Sequence, residues 1–207
     1  MIKHFKILLL GVAILAAIPI KAQDSTLRKH AMGIDILVST GGLGFGTFYR
    51  HEYSNNLSGF IDFSISEASD ENEVNYIDYY TGQTYTPGKT NRFLVLPLFI
   101  GAQYRLFEDD IVDNFRPYIN AAAGPTMIYM FPYQNDFFTD LGSGRPKYTV
   151  GGYVGFGAYF GSERSTLLGL NVRYYIIPYR SGLQSMWNKQ MKDFGGFFIS
   201  LSFGSAW

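Results

Sequence analysis

The stretch that decides the fold of this chain is Gly196 to Trp207, which reads GFFISLSFGSAW. Its apolar side chains recur at every second position, at Phe197, Ile199, Leu201, Phe203 and finally Trp207. Apart from Phe198, the other face carries small or polar residues, namely Gly196, Ser200, Ser202 and Gly204. Alternation with a period of two is typical of a β-strand whose two faces meet different surroundings. A strand of a soluble sandwich would read the same way, so this stretch alone does not identify the solvent.

Seven earlier segments alternate in the same way, which makes eight predicted strands. Their apolar faces begin at Met32, Leu43, Leu57, Leu94, Ile119, Tyr148 and Leu168. The composition agrees, because 18 Phe, 16 Tyr and 23 Gly with only 16% charged residues favour strands and turns over helices. After residue 23, no apolar run is long enough for a transmembrane helix.

The second faces of these strands combine Gly, Ser, Thr and Asn with charges of both signs and almost no Lys. The charged residues are Asp35, Arg50, Glu52, Asp62, Arg116 and Arg173. A soluble barrel would carry a Lys-rich outer face, and one of the lipocalin kind would also have a helix after its strands. A barrel in lipid turns apolar residues outward and must pair its charges inside. The sequence therefore predicts an all-β fold, an eight-stranded antiparallel up-and-down transmembrane β-barrel with a lumen charge network. A structural role for these charges is favoured, and a narrow path for small solutes or ions is the alternative.

The N-terminal residues predict export. Lys3 and Lys6 precede an apolar run over 7–20, and Ala22 offers a small residue for cleavage. The run is shorter than a membrane span, so we expect residues 1–22 to be a cleaved signal peptide and 23–207 the barrel domain. Without Cys there is neither a disulfide nor a lipid-anchored cysteine. Loss of three lysines, the third being Lys21, leaves 14 basic against 17 acidic residues, so nucleic acid is not an expected partner.

Connections between the predicted strands alternate in length after a brief first turn at 40–42. The short ones are 54–56, 108–114 and 161–165, and the long ones are 67–90, 131–146 and 180–191. Outer-membrane barrels have short periplasmic turns and long external loops. Two aromatic girdles are expected at the strand ends, Tyr53, Tyr104, Phe160 and Trp207 on the periplasmic side, and Phe93, Tyr129 and Tyr148 on the external side.

The long loops carry aromatic residues among small polar ones. These are Tyr76, Tyr79, Tyr80 and Tyr85 in one loop, and Phe131 and Tyr133 in the next, where Phe137 and Phe138 follow. Such loops suit adaptable contacts to a surface protein or a glycan. They could equally pack on one another and cover the mouth of the barrel, and the sequence does not choose between the two.

Three short stretches resemble the OmpX/PorT-like outer-membrane β-barrel family. They are FLVLPL at 93–98, RPYI at 116–119 and AGP at 123–125. The stretch from Phe203 to Trp207 also resembles the C-terminal signal that the barrel-assembly machinery recognises, although that family usually ends in Phe. The resemblance implies a barrel in the bacterial outer membrane, in contact with lipid and lipopolysaccharide. It implies no defined activity, because most members have none.

Two prolines fall inside predicted strands. Proline removes a hydrogen bond from the strand ladder. We therefore expect Pro97 and Pro125 to lie at local irregularities, with their rings on the lipid side.

The chemistry of the sequence points away from an enzyme. The exported part has only His30, expected in the tail before the first strand, and His51, expected on the lipid-facing side near a rim. Neither suggests a nucleophilic triad. The acidic stretches at 69–73 and 108–113 lack the spacing of a calcium loop, so no metal and no cofactor is expected. The sequence thus favours a non-enzymatic structural or surface-interaction protein that acts through its external loops. A small-solute channel is the first alternative, and a lipid-modifying enzyme is the second.

Overall fold

The computed structural model describes residues 29–80, 82, 84–107, 115–160 and 166–207. The predicted signal peptide, the acidic turn at 108–114 and the short turn at 161–165 lie outside these residues. The strands are β1 (His30–Ser39), β2 (Gly42–Glu52), β3 (Leu57–Ala68), β4 (Tyr76–Ile77), β5 (Thr84–Tyr85), β6 (Asn91–Arg105), β7 (Phe115–Pro132), β8 (Arg145–Phe160), β9 (Thr166–Ile176), β10 (Pro178–Met186), β11 (Lys189–Asp193) and β12 (Gly196–Ala206). One short helix, α1 (Phe137–Leu141), lies between β7 and β8.

Eight of these strands form a closed antiparallel barrel. Their order around it is β1, β12, β9, β8, β7, β6, β3 and β2, so each strand pairs with its neighbours in the chain and β12 closes on β1. At this seam Ile34 pairs with Phe203 and Asp35 with Ser202. Closure removes the free edges that would otherwise expose unpaired backbone groups. The eight predicted strands and the fold class are confirmed.

The outer face of the barrel is apolar along its length. Ile100 and Val150 are each 67% exposed, whereas Asp35 and Arg173 are 2% and 6% exposed. Leu168, Leu170, Leu201 and Phe203 also point outward. This orientation is the reverse of a soluble barrel, and it is the one that a hydrocarbon surrounding requires.

The half of the lumen next to the long loops is filled by apolar side chains. Phe93, Phe99 and Ile128 are fully buried there, and Phe194 enters from the connection after β11. The rings of Phe93 and Phe194 meet edge to face with centroids 5.0 Å apart. The expectation that Phe93 belongs to the external aromatic girdle is therefore wrong, because its side chain points inward. Tyr148, by contrast, is well exposed on the outer face.

The two prolines differ in the side they face. Pro125 lies on the outer face as expected, but Pro97 is buried on the lumen side, so that part of the prediction is wrong. Pairing between β6 and β7 skips from Pro97 with Thr126 to Ile100 with Ala123. The register on either side of the gap is the same, so the strands accommodate proline by an interruption of pairing and not by a bulge.

The long external connections contain regular structure of their own. The strands β4 and β5 form one small hairpin, and β10 and β11 form a second. Asp136 caps α1, since its Oδ2 accepts a hydrogen bond from the Thr139 amide at 2.9 Å. No helix in the described part of the chain has the length and apolarity needed to cross a membrane.

Candidate functional site

The hairpin β10–β11 is fastened to the segment that leads into β6. The Thr90 amide donates to the Ser185 carbonyl at 2.9 Å, and the Trp187 amide donates to the Gly88 carbonyl at 2.8 Å. A single β-bridge joins Lys89 to Met186. The Ser185 hydroxyl also donates to Asp70 Oδ2 at 2.6 Å. Two external connections that are far apart in sequence therefore form one unit.

A buried ion pair stabilises this unit. Lys89 Nζ lies 2.6 Å from Glu73 Oε2, and both side chains are only 7% exposed. The same ammonium group lies 5.5 Å from the centre of the Tyr133 ring, which belongs to the connection after β7. The Arg92 guanidinium also lies over this ring, 4.4 Å from its centre. We call the three packed connections, residues 69–90, 133–144 and 177–195, the external cap.

Asp140 organises the third connection of the cap. Its Oδ2 accepts hydrogen bonds from the amides of Gln134 and Asn135, each at 2.8 Å, and lies 3.5 Å from Arg92 Nη1. The backbone hydrogen bonds from Asn135 and Gln134 hold the pKa of Asp140 below its ordinary value. A charged Asp140 therefore fixes the path of the chain before α1.

The six aromatic residues predicted as loop contacts fall into two groups. Phe131 is 1% exposed, and its ring meets that of Phe137 edge to face at 5.3 Å. Tyr133 lies against Lys89 and Arg92, so Phe131 and Tyr133 both contact other residues of the protein. The other group stays exposed on and around the hairpin β4–β5 and consists of Tyr76, Tyr79, Tyr80 and Tyr85.

The structure brings three of the six predicted lumen charges together. Arg173 Nη2 lies 2.7 Å from Asp35 Oδ2, and Arg173 Nη1 lies 3.9 Å from Asp62 Oδ2. The Ser202 hydroxyl donates to Asp35 Oδ1 at 2.6 Å, and the Tyr153 hydroxyl donates to Asp62 Oδ2 at 2.7 Å. We call Asp35, Asp62 and Arg173 the central ion cluster. Its buried charges are paired and hydrogen-bonded, as burial demands.

The other three predicted charges lie apart from that cluster, next to the turn between β2 and β3. Arg50 Nη2 is 3.6 Å from Glu52 Oε1, and the Arg50 guanidinium lies 4.7 Å from the centre of the Tyr159 ring. Arg50, Glu52 and Arg116 all line one cavity of about 130 Å³. Arg50 also borders a smaller space together with Asp62 and Arg173, and a single network that includes all six charges stays a prediction.

Several other lumen residues that contact or lie beside these charges were not among the predicted site residues. Tyr153, Ser202 and Tyr175 supply hydroxyls to the central ion cluster, the last accepting from Arg173 Nη1 at 3.3 Å. Gln103 and Arg105 line the cavity beside Arg116. All five lie on the polar face of their strands, so their alternation was a usable signal. The ion pairs of the cap had no such signal, because irregular segments have no alternation to read.

The fold has counterparts among solved structures. The N-terminal β-barrel domain of Pseudomonas aeruginosa OprF matches with a TM-score of 0.50 and 10% identity, over 87% of this chain and 98% of that domain. The chain has the fold of a small outer-membrane β-barrel. Neisserial surface protein A matches with a TM-score of 0.48 and 13% identity, over 85% of this chain and 92% of its own. Ail of Yersinia pestis gives 0.42 and 12%, over 86% and 95%. No family model matches the chain, and no curated protein sequence matches it.

This outer-membrane barrel has its charges inside and its apolar side chains outside, so hydrocarbon is the surrounding that it requires. The predicted location in the bacterial outer membrane is confirmed. The structural likeness extends to the fold and carries no activity with it.

The two histidines lie together on the outer face, at the rim next to Trp207. His30 begins β1 and is not in a tail before it, which corrects that expectation. Its Nδ1 is 2.6 Å from the Tyr49 hydroxyl, and its ring centre is 4.8 Å from that of His51. Trp207 stacks on His30 with centroids 6.2 Å apart. Neither ring faces a lumen site. Among the described residues no group of three or more His, Cys, Asp or Glu could hold a metal ion.

The predicted assembly signal lies on the lipid side of the barrel. Phe203 and Trp207 are both exposed on its outer face. They are open to contact from outside the barrel, and their recognition by the assembly machinery stays a prediction.

Proposed function

We propose that this protein is a non-enzymatic outer-membrane barrel that contacts a partner through the hairpin β4–β5. The observation that carries the proposal is the contrast between two sets of aromatic residues in the cap. Phe131 packs against Phe137, and Tyr133 packs against Lys89 and Arg92. The rings of Tyr79 and Tyr80, by contrast, are fully exposed at the tip of the hairpin. An exposed pair of large rings lowers its free energy by packing on a partner.

The hairpin presents a compact surface. Tyr76 and Tyr85 stack across it with centroids 6.0 Å apart, and Val74 and Ile77 are also exposed. At its base, the Thr86 hydroxyl donates to Asn75 Oδ1 at 2.6 Å. The nearby ion pair between Lys89 and Glu73 fixes this base to the cap. A base held in this way reduces the entropy that binding would cost.

The charge near this surface narrows the class of partner. Two carboxylates, those of Glu71 and Asp78, lie close in sequence to the exposed tyrosines. Repulsion from these carboxylates disfavours a strongly anionic partner. A protein surface or a neutral glycan is therefore the proposed occupant. Lipid and lipopolysaccharide are the proposed surroundings of the barrel wall and rim.

Site-specific photo-crosslinking in intact outer membranes tests the proposal. A benzophenone side chain in place of Tyr80 should give a discrete adduct, which the double variant Tyr79→Ser with Tyr76→Ser should weaken. The matched control places the same probe at Phe138, which is also exposed but lies on another connection. Equal adducts from both positions, or adducts with lipid alone, would exclude a partner site on the hairpin.

A further inference from the structure

A cavity of about 130 Å³ lies inside the barrel at the end opposite to the external cap. Ser54, Asn55 and Asn56 of the turn between β2 and β3 form part of its wall. Short turns of this kind face the periplasm in outer-membrane barrels. The central ion cluster lies deeper in the lumen and is not part of the lining.

The lining of this cavity is basic. Three arginines, Arg50, Arg105 and Arg116, line it. Among the residues that the structure describes, Glu52 supplies the one carboxylate of the lining. Arg105 and Arg116 have interactions of their own. Arg50 carries two buried donors without an acceptor in the described part of the protein.

Arg50 is deeply buried and lacks acceptors. Its side chain is 5% exposed, and neither its Nε nor its Nη1 has a hydrogen-bond partner among the described residues. Its contact with Glu52, at 3.6 Å, is too long for a good hydrogen bond and uses a different nitrogen, Nη2. The stacking on Tyr159 supports the face of the guanidinium group but supplies no acceptor. Buried donors of a charged group are costly when left unpaired.

We propose that this cavity binds a small oxyanion from the periplasmic side, with Arg50 as its principal ligand. A phosphate, sulfate or small carboxylate supplies acceptor oxygens, and its negative charge complements the three guanidinium groups among the described residues of the lining. A cavity of about 130 Å³ has room for an ion of this size. The site lies at the other end of the barrel from the hairpin β4–β5, so it does not depend on the proposed function.

Titration of the folded protein with inorganic phosphate tests the site. The full barrel is refolded in phosphatidylcholine nanodiscs, and the Arg50 Nε–H and the amides of Gln103 and Tyr118 are followed by NMR. We expect saturable shifts that sodium chloride at equal ionic strength does not reproduce. Arg50→Met should weaken phosphate binding at least about tenfold, because a charge-assisted hydrogen bond is lost. Arg50→Lys, which keeps the charge, should lose less affinity.

The control is Arg180→Met, which removes the same charge from an exposed position on β10 at the other end. Equal weakening by Arg180→Met and Arg50→Met would mean attraction to surface charge and would overturn the proposal. Shifts that grow linearly with phosphate, or that chloride reproduces, would overturn it as well. The wild-type titration stands even if Arg50→Met fails to fold, a failure that the mobility of the unheated protein on a gel would reveal.

Discussion

Asp35 and Arg173 form an ion pair of 2.7 Å across the strand that lies between them. Asp35 is on β1 and Arg173 is on β9, and β12 pairs with both strands. Ser202 on that middle strand is the register partner of Asp35 and donates to its carboxylate. The pair therefore links three neighbouring strands on both sides of the seam.

Removing one member of this pair should destabilise the barrel strongly. Arg173→Met leaves two buried carboxylates without their cation, and we expect a loss of about 3 kcal/mol or more in the free energy of unfolding. Urea unfolding in lipid vesicles measures it, with the exposed Arg180→Met as control. Adding Asp35→Asn to Arg173→Met should restore part of the loss, since one uncompensated charge is then gone. Full additivity of the two variants would contradict a direct coupling.

The cap should loosen independently of the barrel. Lys89→Met leaves the buried Glu73 without its cation, so the hydrogen bonds between the first and third connections should open more often. Amide exchange of Thr90 and Trp187 should then be at least about tenfold faster, with the barrel amides unchanged. The comparison is Lys192→Met on the exposed strand β11. Unchanged exchange at both amides would show that the ion pair does not stabilise the cap.

The connection around Asp140 should open in acid. The pKa of Asp140 is lower in the folded cap than in an unfolded chain, because the carboxylate accepts backbone hydrogen bonds. Its stabilising effect is therefore complete above the ordinary pKa of an aspartate and is lost as the pH falls through the lower folded value. Amide shifts of Gln134 and Asn135 should move in that acidic range, and Asp140→Asn should abolish the movement. A transition near neutral pH would contradict this assignment.

A charge on the outer wall should be costly where lipid is the neighbour. Leu201 is exposed near the middle of β12, and Leu201→Arg should lower the free energy of unfolding by about 2–4 kcal/mol. Tyr79→Arg, a similar change on the cap, should cost almost nothing. Equal costs at the two positions would argue against hydrocarbon around the wall.

The barrel should not conduct ions. The apolar core around Phe93 and Phe99 fills one half of the lumen, and the central ion cluster crosses it below. Purified, folded protein in planar bilayers should therefore show no conductance steps at moderate voltage. Regular conductance steps from the wild-type protein that change in size or disappear in the variant Phe99→Ala would restore the channel interpretation.

Alternation along the sequence was enough to predict the eight barrel strands and the side that most of their residues face. Applied consistently, it would also have placed Phe93 and Pro97 correctly, because Leu94, Leu96 and Leu98 take the outward positions between them. Phe93 was assigned to the girdle because it is aromatic, and Pro97 was assigned to the lipid side because it is a proline. In both cases the position in the alternating pattern was the better guide.

Height in the lumen and contacts between loops were beyond this kind of prediction. Alternation reports which face a side chain is on but not its level along the barrel axis, so it did not show that Asp35, Asp62 and Arg173 meet in one cluster. The bond between Asp70 and Ser185 joins residues 115 positions apart in connections with no repeat to follow. Such pairings depend on how the strands are staggered around the barrel, which a single sequence does not reveal.

The wall of the barrel is closed only when β12 is paired with both β1 and β9. Without β12, the strands β1 and β9 would each expose unpaired backbone amides and carbonyls to hydrocarbon. Asp35 would then lack the hydrogen bond from the Ser202 hydroxyl and a fixed distance to Arg173. A sheet without β12 is thus unfit for the bilayer interior, and the ion pair between Asp35 and Arg173 is held in place by the strand between its two members. Pairing of β12 with both neighbours is therefore a condition for the sheet to lie stably in hydrocarbon.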